Sequence, residues 1–158
     1  MPVFFFLDLG KEIEGTATEK NHKNQVEILS WQLSESNSAS WMHGGAGTVS
    51  FSDVPFSKRL DKASAKIFQY CAASKKIPTA TLSCLRATGN ESPTEYLSIK
   101  LTDSFITSYS TGGSSGDDVP MESFTLNFAK IEILAKAPDG ATQGTASYDM
   151  REVLAAAK

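Results

Sequence analysis

The sequence predicts a mainly β fold, a barrel or a tightly folded pair of bent antiparallel sheets, and two observations lead to it. Ser and Thr are abundant, with 20 and 13 copies against 2 His, and β-branched Thr favours strands with one polar face. Apolar and polar residues also alternate with a period of two, which is typical of a half-buried strand. This alternation is clearest over residues 79–84, 97–102 and 123–128.

The alternation changes phase at three places along the chain. Val26 and Ile28 are followed by Leu29, Trp31 and Leu33; Val49 and Phe51 by Val54 and Phe56; and Phe128 by Ile131 and Ile133. A strand that ran straight through such a change would turn its apolar residues to solvent, so a bulge or sharp bend is required. Strands that turn corners in small barrels need these devices, whereas flat sheets seldom do.

The N-terminal segment Val3–Leu7 is predicted to be the first strand. Its apolar run is too short for the core of a signal peptide, no Lys or Arg precedes it, and Asp8 follows at once. No stretch of the sequence approaches the ~20 apolar residues of a membrane span. We therefore expect synthesis in the cytoplasm and, for any export, a route without a cleaved signal.

One segment breaks the β pattern and predicts a helix over about residues 61–75. Apolar residues recur there at steps of three and four, at Leu60, Ala63, Ile67, Phe68 and Cys71. Asp61 is expected to cap the first turn, and Pro78 prevents continuation of the helix into the next strand.

Two connections between the predicted strands are long. The polar, Gly-rich loop over about residues 34–47 carries Trp41 and Met42 in its middle, and loops of this length usually have a function. An aromatic residue and a Met on a projecting loop predict docking against another surface; the alternative is that Trp41 folds back onto its own barrel. Ser110–Asp118 is expected to be a mobile tip between two long strands, and Asp139-Gly140 a turn.

Composition and motifs predict no catalytic, cofactor or metal site. The 15 basic residues are scattered among 18 acidic ones, for a net charge of −3, which argues against a nucleic-acid partner. His22 and His43 lack metal-ligand spacing, and the glycine runs precede strands and not helices, which argues against a phosphate loop. Cys71 and Cys84 are interpreted as small buried hydrophobic residues.

Five separated segments together resemble the haemolysin-coregulated protein (Hcp) family, the tube subunits of type VI secretion systems. They are FLDLGKEIEGTATEKNHKNQVEILSW, HGGAGTVSFSD, PFSKRLDKASAKIFQYCAASKK, TEYLSIKLTDSFITSYSTGG and MESFTLNFAKIEI. The resemblance runs from Phe4 to about Met150 and depends on the order and spacing of all five. The glycine run before Ala46 is shorter than the family often shows, and the Ala-rich C-terminus also departs from it.

The resemblance implies a split β-barrel of two bent antiparallel sheets with one flanking helix, in a single domain over residues 1–158. The Ala-rich composition of the last ~8 residues indicates a flexible or helical tail. It further implies a non-enzymatic subunit that forms hexameric rings, and these stack into a hollow tube that sheath contraction propels. Implied partners are further copies of the chain, a VgrG-like spike protein, sheath and baseplate components, and effector proteins in the lumen. Such a protein is cytoplasmic when assembled and extracellular after firing.

Two sets of residues are candidates for contacts. The projecting loop predicts a ring-stacking interface formed by Trp41, Met42, His43, Gly44, Gly45 and Gly47. Ser30 and Gln32 are predicted to face the lumen, because they are the polar partners of Leu29, Trp31 and Leu33 in the alternation. The alternatives are a monomeric barrel that binds a small ligand and a tube subunit of a related phage-tail-like contractile device.

Overall fold

The computed structural model describes residues 2–45, 47–87, 89 and 92–152. The strands among these residues are β1 Val3–Asp8, β2 Val26–Ile28, β3 Ser30–Trp31, β4 Glu35–Asn37, β5 Val49–Phe51, β6 Val54–Arg59, β7 Ile77–Arg86, β8 Thr94–Gly112, β9 Met121–Asn127, β10 Lys130–Lys136 and β11 Thr142–Asp149. The helix α1 spans Ser64–Ala73, and one turn of 3-10 helix spans Trp41–His43.

The 19-residue strand β8 organises the fold because it bends once and belongs to two layers. Up to Ser104 it lies between β7 and β10, and from Phe105 onward it pairs with β9. Beside the bend, Asp103 has a φ of 52°, a left-handed conformation that Asp tolerates better than most residues. The first layer also holds β2, β1 and β11, and the second holds β6 and β3, with every pairing antiparallel.

The changes of phase in the sequence coincide with changes of strand partner. β2 pairs with β1 in the first layer and β3 pairs with β6 in the second, and only Leu29 separates them. Similarly, Phe128 and Ala129 separate β9 in the second layer from β10 in the first. The hydrogen-bonded strands follow one another in the order β2, β1, β7, β8, β9, β6 and β3, and among the described residues β3 does not pair with β2 to close the barrel. The predicted split barrel of two bent antiparallel sheets is confirmed.

A single large core fills the space between the layers. Phe56, Ile67, Leu82 and Phe124 are among its buried residues. Cys84 is fully buried there, as predicted, whereas Cys71 is only half-buried against the same core. A smaller cluster of Phe6, Ala17 and Leu85 lies on the other face of the first layer.

The helix is shorter than predicted, and only part of the predicted apolar stripe faces the core. It begins at Ser64, so Ala63, Ile67 and Tyr70 are the buried positions. Phe68, which we assigned to the buried stripe, is 59% exposed, and Leu60 is 48% exposed and lies outside the helix. Ala63 and Ile67 of the predicted stripe are buried and Cys71 packs against the core, whereas Tyr70, which the prediction left out, takes a buried position.

The predicted cap is displaced by the same late start. The Asp61 carboxylate accepts a hydrogen bond from the Ala63 backbone N–H at 2.9 Å, in the turn that precedes the helix and not in its first turn. Ser74 ends α1 in the left-handed conformation, with a φ of 52°, and Pro78 is the second residue of β7.

The predicted loops also differ from the structure in part. Residues 110–112 of the predicted Ser110–Asp118 tip belong to β8 and pair with β9. The turn at Asp139-Gly140 is confirmed, with the Ala141 N–H bonded to the Asp139 carboxylate at 2.9 Å. Residues 150–152 are helical, and the rest of the predicted tail, residues 153–158, lies outside the described residues.

Candidate assembly surfaces

The predicted loop over residues 34–47 is a hairpin, which we call the arm (residues 34–52). Its strands β4 and β5 pair antiparallel with each other, and no pairing among the described residues joins them to the two layers. The Thr48 N–H bonds to the Ser38 hydroxyl at 2.9 Å and the Ser52 N–H to the Ser34 carbonyl at 3.2 Å. The arm is therefore a structured projection, because its backbone hydrogen bonds are made within itself.

The tip of the arm presents two apolar side chains to solvent. Trp41 is 95% exposed and Met42 is 92% exposed, so the alternative in which Trp41 folds back onto its own barrel is wrong. The Ser40 hydroxyl accepts from the Met42 N–H, and the Gly45 N–H donates to the Ser40 carbonyl at 2.8 Å. These bonds fix the backbone of the turn that carries the two side chains.

The remaining predicted residues of the arm have backbone roles at the tip. Gly44 has a φ of 75° and Gly45 a φ of 81°, the left-handed region that glycine adopts without strain. At Gly47 an added Cβ would lie 2.2 Å from the backbone nitrogen of Ala39, so only glycine fits between the two sides of the arm. For His43 only the backbone, at the end of the 3-10 turn, is described.

The outward face of the second layer carries a row of serines. Ser30, Ser57, Ser123 and Ser110 are direct cross-strand partners on β3, β6, β9 and β8. The hydroxyl of Ser30 bonds to that of Ser57, and Ser110 bonds to Ser123 at 2.6 Å. Further along, the hydroxyls of Ser108 and Thr125 lie 2.6 Å apart. We call this surface, which also includes exposed Gln32, the hydroxyl face.

A row of aromatic residues lies directly behind the serines. Trp31, Phe56, Phe124 and Tyr109 are partners in the same four strands, one residue along from each serine. The rings of Phe56 and Phe124 stack with centroids 5.3 Å apart. Because successive side chains of a strand point to opposite faces, the aromatic row belongs to the core and the serine row faces outward.

A buried ionic cluster joins the inner side of the second layer to the start of α1. Lys58 Nζ lies 2.6 Å from Glu122 Oε2, 2.9 Å from Asp61 Oδ1 and 3.1 Å from Ser64 Oγ. The hydroxyls of Ser64 and Tyr109 donate to Glu122 at 2.7 and 2.6 Å. Every polar group in the cluster is thus paired, which is what makes a buried charge tolerable.

The cluster shifts the pKa values of two of its members. Burial raises the pKa of Glu122, but hydrogen bonds from Lys58, Tyr109 and Ser64 outweigh it and leave the pKa below its ordinary value. Burial, followed by the hydrogen bond to Glu122, raises the pKa of Tyr109 to about 12. Glu122 is therefore ionised at neutral pH and Tyr109 is a hydrogen-bond donor.

The second layer has two edges without a strand partner among the described residues. One is the half of β8 that starts at Phe105, which pairs with β9 on one side only, and the other is β3, which pairs only with β6. Unpaired edges expose backbone donors and acceptors that another chain could satisfy.

Comparison with known proteins decides the family. The profile of the family described as "Type VI secretion system effector, Hcp" matches residues 6–134. The chain is 37% identical over 149 residues to Protein hcp1 of Pseudomonas aeruginosa, covering 91% of each chain. This chain belongs to the Hcp family of type VI secretion proteins.

Solved Hcp structures share the fold over nearly the whole chain. Hcp1 of Salmonella typhimurium superposes with a TM-score of 0.79 at 32% identity, covering 96% of this chain and 97% of its own. A type VI secretion system effector from Yersinia pestis gives a TM-score of 0.75 at 28% identity, covering 92% and 98%. The resemblance identified from the five sequence segments is confirmed.

The side chain of His22 contacts an aromatic ring and a side-chain amide. His22 stacks on Phe6 with ring centroids 5.0 Å apart, and its Nδ1 lies 2.9 Å from the Gln25 side-chain oxygen. Within the described ranges, His, Cys, Asp and Glu side chains form no group of three that could hold a metal ion. No α-helix described here has the length and apolar character needed to cross a bilayer.

Sequence reasoning found two of the residues on the hydroxyl face, Ser30 and Gln32, and missed Ser57, Ser110 and Ser123. The sequence places each of these serines at a polar position of an alternating strand, but it does not give the register between strands that aligns them in one row. The buried pair Lys58 and Glu122 was missed as well. Its only signal was a charged residue at the apolar phase of each strand.

Proposed function

We propose that this Hcp-family chain is a non-catalytic structural subunit of the inner tube of a type VI secretion system. Hexameric rings of the chain stack into a hollow tube, and contraction of a surrounding sheath propels the tube together with its spike and cargo. The proposal is carried by one observation: a four-stranded layer with a hydroxyl-lined outward face and two unpaired edges.

The two edges suit a closed ring of identical copies. All neighbours in the layer are antiparallel, and the layer has four strands, so its edge strands β8 and β3 run in opposite directions. When copies stand side by side in the same orientation, β8 of one meets β3 of the next in an antiparallel sense. The contact is heterologous, and it forms a ring when the rotation between copies closes.

The hydroxyl face is suited to line the lumen of that ring. Ser30, Gln32, Ser110 and Ser123 are exposed and uncharged, and their hydroxyl and amide groups can hydrogen-bond water. Effector proteins of different charge could therefore load and leave, since no large apolar lining would trap them. We assign Ser30 and Gln32 to effector contact.

The arm is assigned to the contact between rings. Trp41, Met42, His43, Gly44, Gly45 and Gly47 lie at or beside its tip, which projects away from both layers. The exposure of Trp41 and Met42 supports this role, because large exposed apolar side chains on a rigid element mark docking sites. The protein is cytoplasmic while the tube assembles and extracellular after firing.

The test is direct imaging of the purified protein. Negative-stain microscopy is expected to show annular particles with an open centre, and native mass spectrometry to give the mass of six chains. A protein that stays monomeric at high concentration would contradict the proposed function. Lys23→Ala serves as a control variant, because this exposed side chain lies between β1 and β2 of the first layer and not on β8 or β3, so its loss should leave rings intact.

A further inference from the structure

One carboxylate lies on the hydroxyl face, at the end where the arm joins the second layer. Asp53 is the residue between the arm and β6. Its Oδ2 accepts a hydrogen bond from the Thr107 hydroxyl at 2.7 Å, and its Oδ1 accepts one from the Asn127 side-chain N–H at 2.8 Å. Asn127 belongs to the outward row of β9, together with Ser123 and Thr125. The Asp53 carboxylate therefore lies on the outward surface of the layer and not in the core.

The negative charge of Asp53 is positioned but not neutralised. Both hydrogen bonds to the carboxylate come from neutral side chains, and none of the ion pairs in the described part of the chain includes Asp53. Thr107 is held in turn by Thr125, whose hydroxyl oxygen lies 2.7 Å from that of Thr107. The half-buried carboxylate thus keeps one place on the face, and its charge is available to a partner.

The surroundings of Asp53 on the hydroxyl face are uncharged. Among the described residues, the outward positions of β3, of β9 and of β8 from Phe105 onward carry no charge. Arg59 is the other charged side chain in the outward row of β6. It lies at the far end of the strand, about 20 Å from Asp53 at ~3.3 Å per residue, and lines a pocket that also includes Glu27 and Asp61. Asp53 therefore determines the charge of the face at its arm end.

We propose that Asp53 makes the arm-side end of the lumen selective for cargo that carries an exposed basic segment. The inference rests on the proposed function, in which the hydroxyl face lines the lumen, and it names the chemistry of the cargo. In a ring, each copy places one Asp53 carboxylate at the same height, so the lysine or arginine side chains of one cargo can meet several of them. Like charges around one passage attract cationic groups and repel acidic ones. A local basic segment suffices, so effectors of different net charge can still load.

Selection of this kind agrees with cargo that must later leave. An ion pair on an exposed surface is weak and is screened by salt, whereas several such pairs that act on one cargo reinforce one another. The hydroxyl groups beside Asp53 can hydrogen-bond water once the cargo has left. Binding is therefore selective for charge and remains reversible.

Two peptides of equal length and opposite charge test the inference. One fluorescein-labelled peptide contains lysine and serine, the other glutamate and serine, and each is titrated with purified rings while fluorescence anisotropy reports binding. We expect wild-type rings to bind the lysine peptide about tenfold or more tightly than the glutamate peptide, the combined effect of about three exposed ion pairs. The preference should shrink when NaCl is raised from about 50 to about 500 mM, because salt screens exposed charges.

Pro55→Lys and Pro55→Gln form the matched pair of variants. Pro55 is exposed and is the next outward position of β6 after Asp53, so the new ammonium group offsets the carboxylate and leaves its two hydrogen bonds in place. Pro55→Lys should lower the affinity for the lysine peptide about tenfold, and Asp53→Asn should do the same. Pro55→Gln should bind as the wild type does. Asp139→Asn, which removes an exposed carboxylate from the turn between β10 and β11, is the control for net charge.

Native mass spectrometry first checks that each variant forms the same ring as the wild type. With rings intact, equal affinities of the wild type for the two peptides would overturn the inference, as would an effect of Asp139→Asn or Pro55→Gln as large as that of Pro55→Lys. Either result would leave the proposed function standing. If Asp53→Asn alone fails to form rings, the two Pro55 variants still decide the question. A wild-type protein that forms no rings would instead contradict the proposed function.

Discussion

Lys58 Nζ lies 2.6 Å from Glu122 Oε2 although the two residues are 64 positions apart in the chain, and neither side chain is exposed to solvent. The pair connects β6 to β9 on the inner side of the layer whose outer side is the hydroxyl face. Through Ser64 and Tyr109 it also holds α1 and β8. The buried cluster of Lys58, Glu122, Ser64 and Tyr109 therefore connects three strands of the hydroxyl face to one another and to α1.

Removal of one charge from this pair is expected to be strongly destabilising. Glu122→Leu leaves the Lys58 ammonium buried without its main partner, which should cost about 3–5 kcal/mol of unfolding free energy. The double variant Lys58→Met/Glu122→Leu should lose clearly less than the sum of the single changes, because neither charge of the pair then stays buried without the other. Asp61 loses Lys58 as a partner but keeps the hydrogen bond from the Ala63 N–H. Urea unfolding followed by circular dichroism measures both.

The matched control for that cycle is the exposed pair Lys62 and Glu14, whose Nζ and Oε2 atoms lie 3.3 Å apart. Lys62→Met and Glu14→Leu, alone or together, should change the unfolding free energy by less than about 1 kcal/mol. Equal losses at the two pairs would show that burial does not determine the effect.

The stability of the protein should depend on pH through Glu122. Its pKa in the folded protein is lowered from the ordinary 4.5, so its contribution is fully present above that value and is lost as the pH falls through the lower, folded pKa. The difference in unfolding free energy between the wild type and Glu122→Gln should therefore shrink as the pH is lowered from 7 to about 3. A difference in unfolding free energy that stays constant over this range would contradict the lowered pKa of Glu122.

The two cysteines should react differently with thiol reagents. Burial, with a smaller contribution from the nearby Glu95 charge, raises the pKa of Cys84 to about 12, and the thiolate is the reactive species. We expect Cys84 to resist iodoacetamide at pH 8 in the native protein and to react after unfolding. Mass spectrometry of peptides measures the labelling of Cys84, with half-buried Cys71 as the internal comparison. Rapid labelling of Cys84 in the native protein would contradict the prediction.

Substitution of Gly47 should distort the arm and spare the barrel. In Gly47→Ala the new Cβ meets the Ala39 backbone nitrogen at 2.2 Å, so the two sides of the arm must separate. We expect stacking to be lost while rings and the melting temperature stay close to those of the wild type. Gly113→Ala is the control, because an added Cβ there meets nothing within 4 Å; equal effects of both changes would exclude a specific role for Gly47.

A bulky side chain on the hydroxyl face should affect cargo before it affects assembly. Gln32 is exposed beside β3, so Gln32→Trp narrows the proposed lumen without entering the core. Co-purification of effectors should fall while annular particles persist. Gln69→Trp, at an exposed position on α1, is the control. Loss of rings as the first effect of Gln32→Trp would place Gln32 in a subunit contact and not in the lumen.

The fold class followed from local patterns because those patterns are set by neighbouring residues. Alternation at 79–84, 97–102 and 123–128 predicted strands, and the three changes of phase predicted the places where the chain passes between layers or leaves them. The exposed tip at Trp41 and Met42 was predicted from composition and loop length. The hairpin structure of the arm was not, since short polar strands carry little hydrophobic signal.

Local patterns and motifs were enough to predict most of the strands, the main helix, the projecting tip and the family. The burial of Tyr70, the alignment of four serines into one row and the buried pairing of Lys58 with Glu122 became visible only in the folded chain. Each of these depends on which distant residues are placed opposite one another. Local periodicity reports the face on which a side chain lies, but the register between strands determines what that side chain meets.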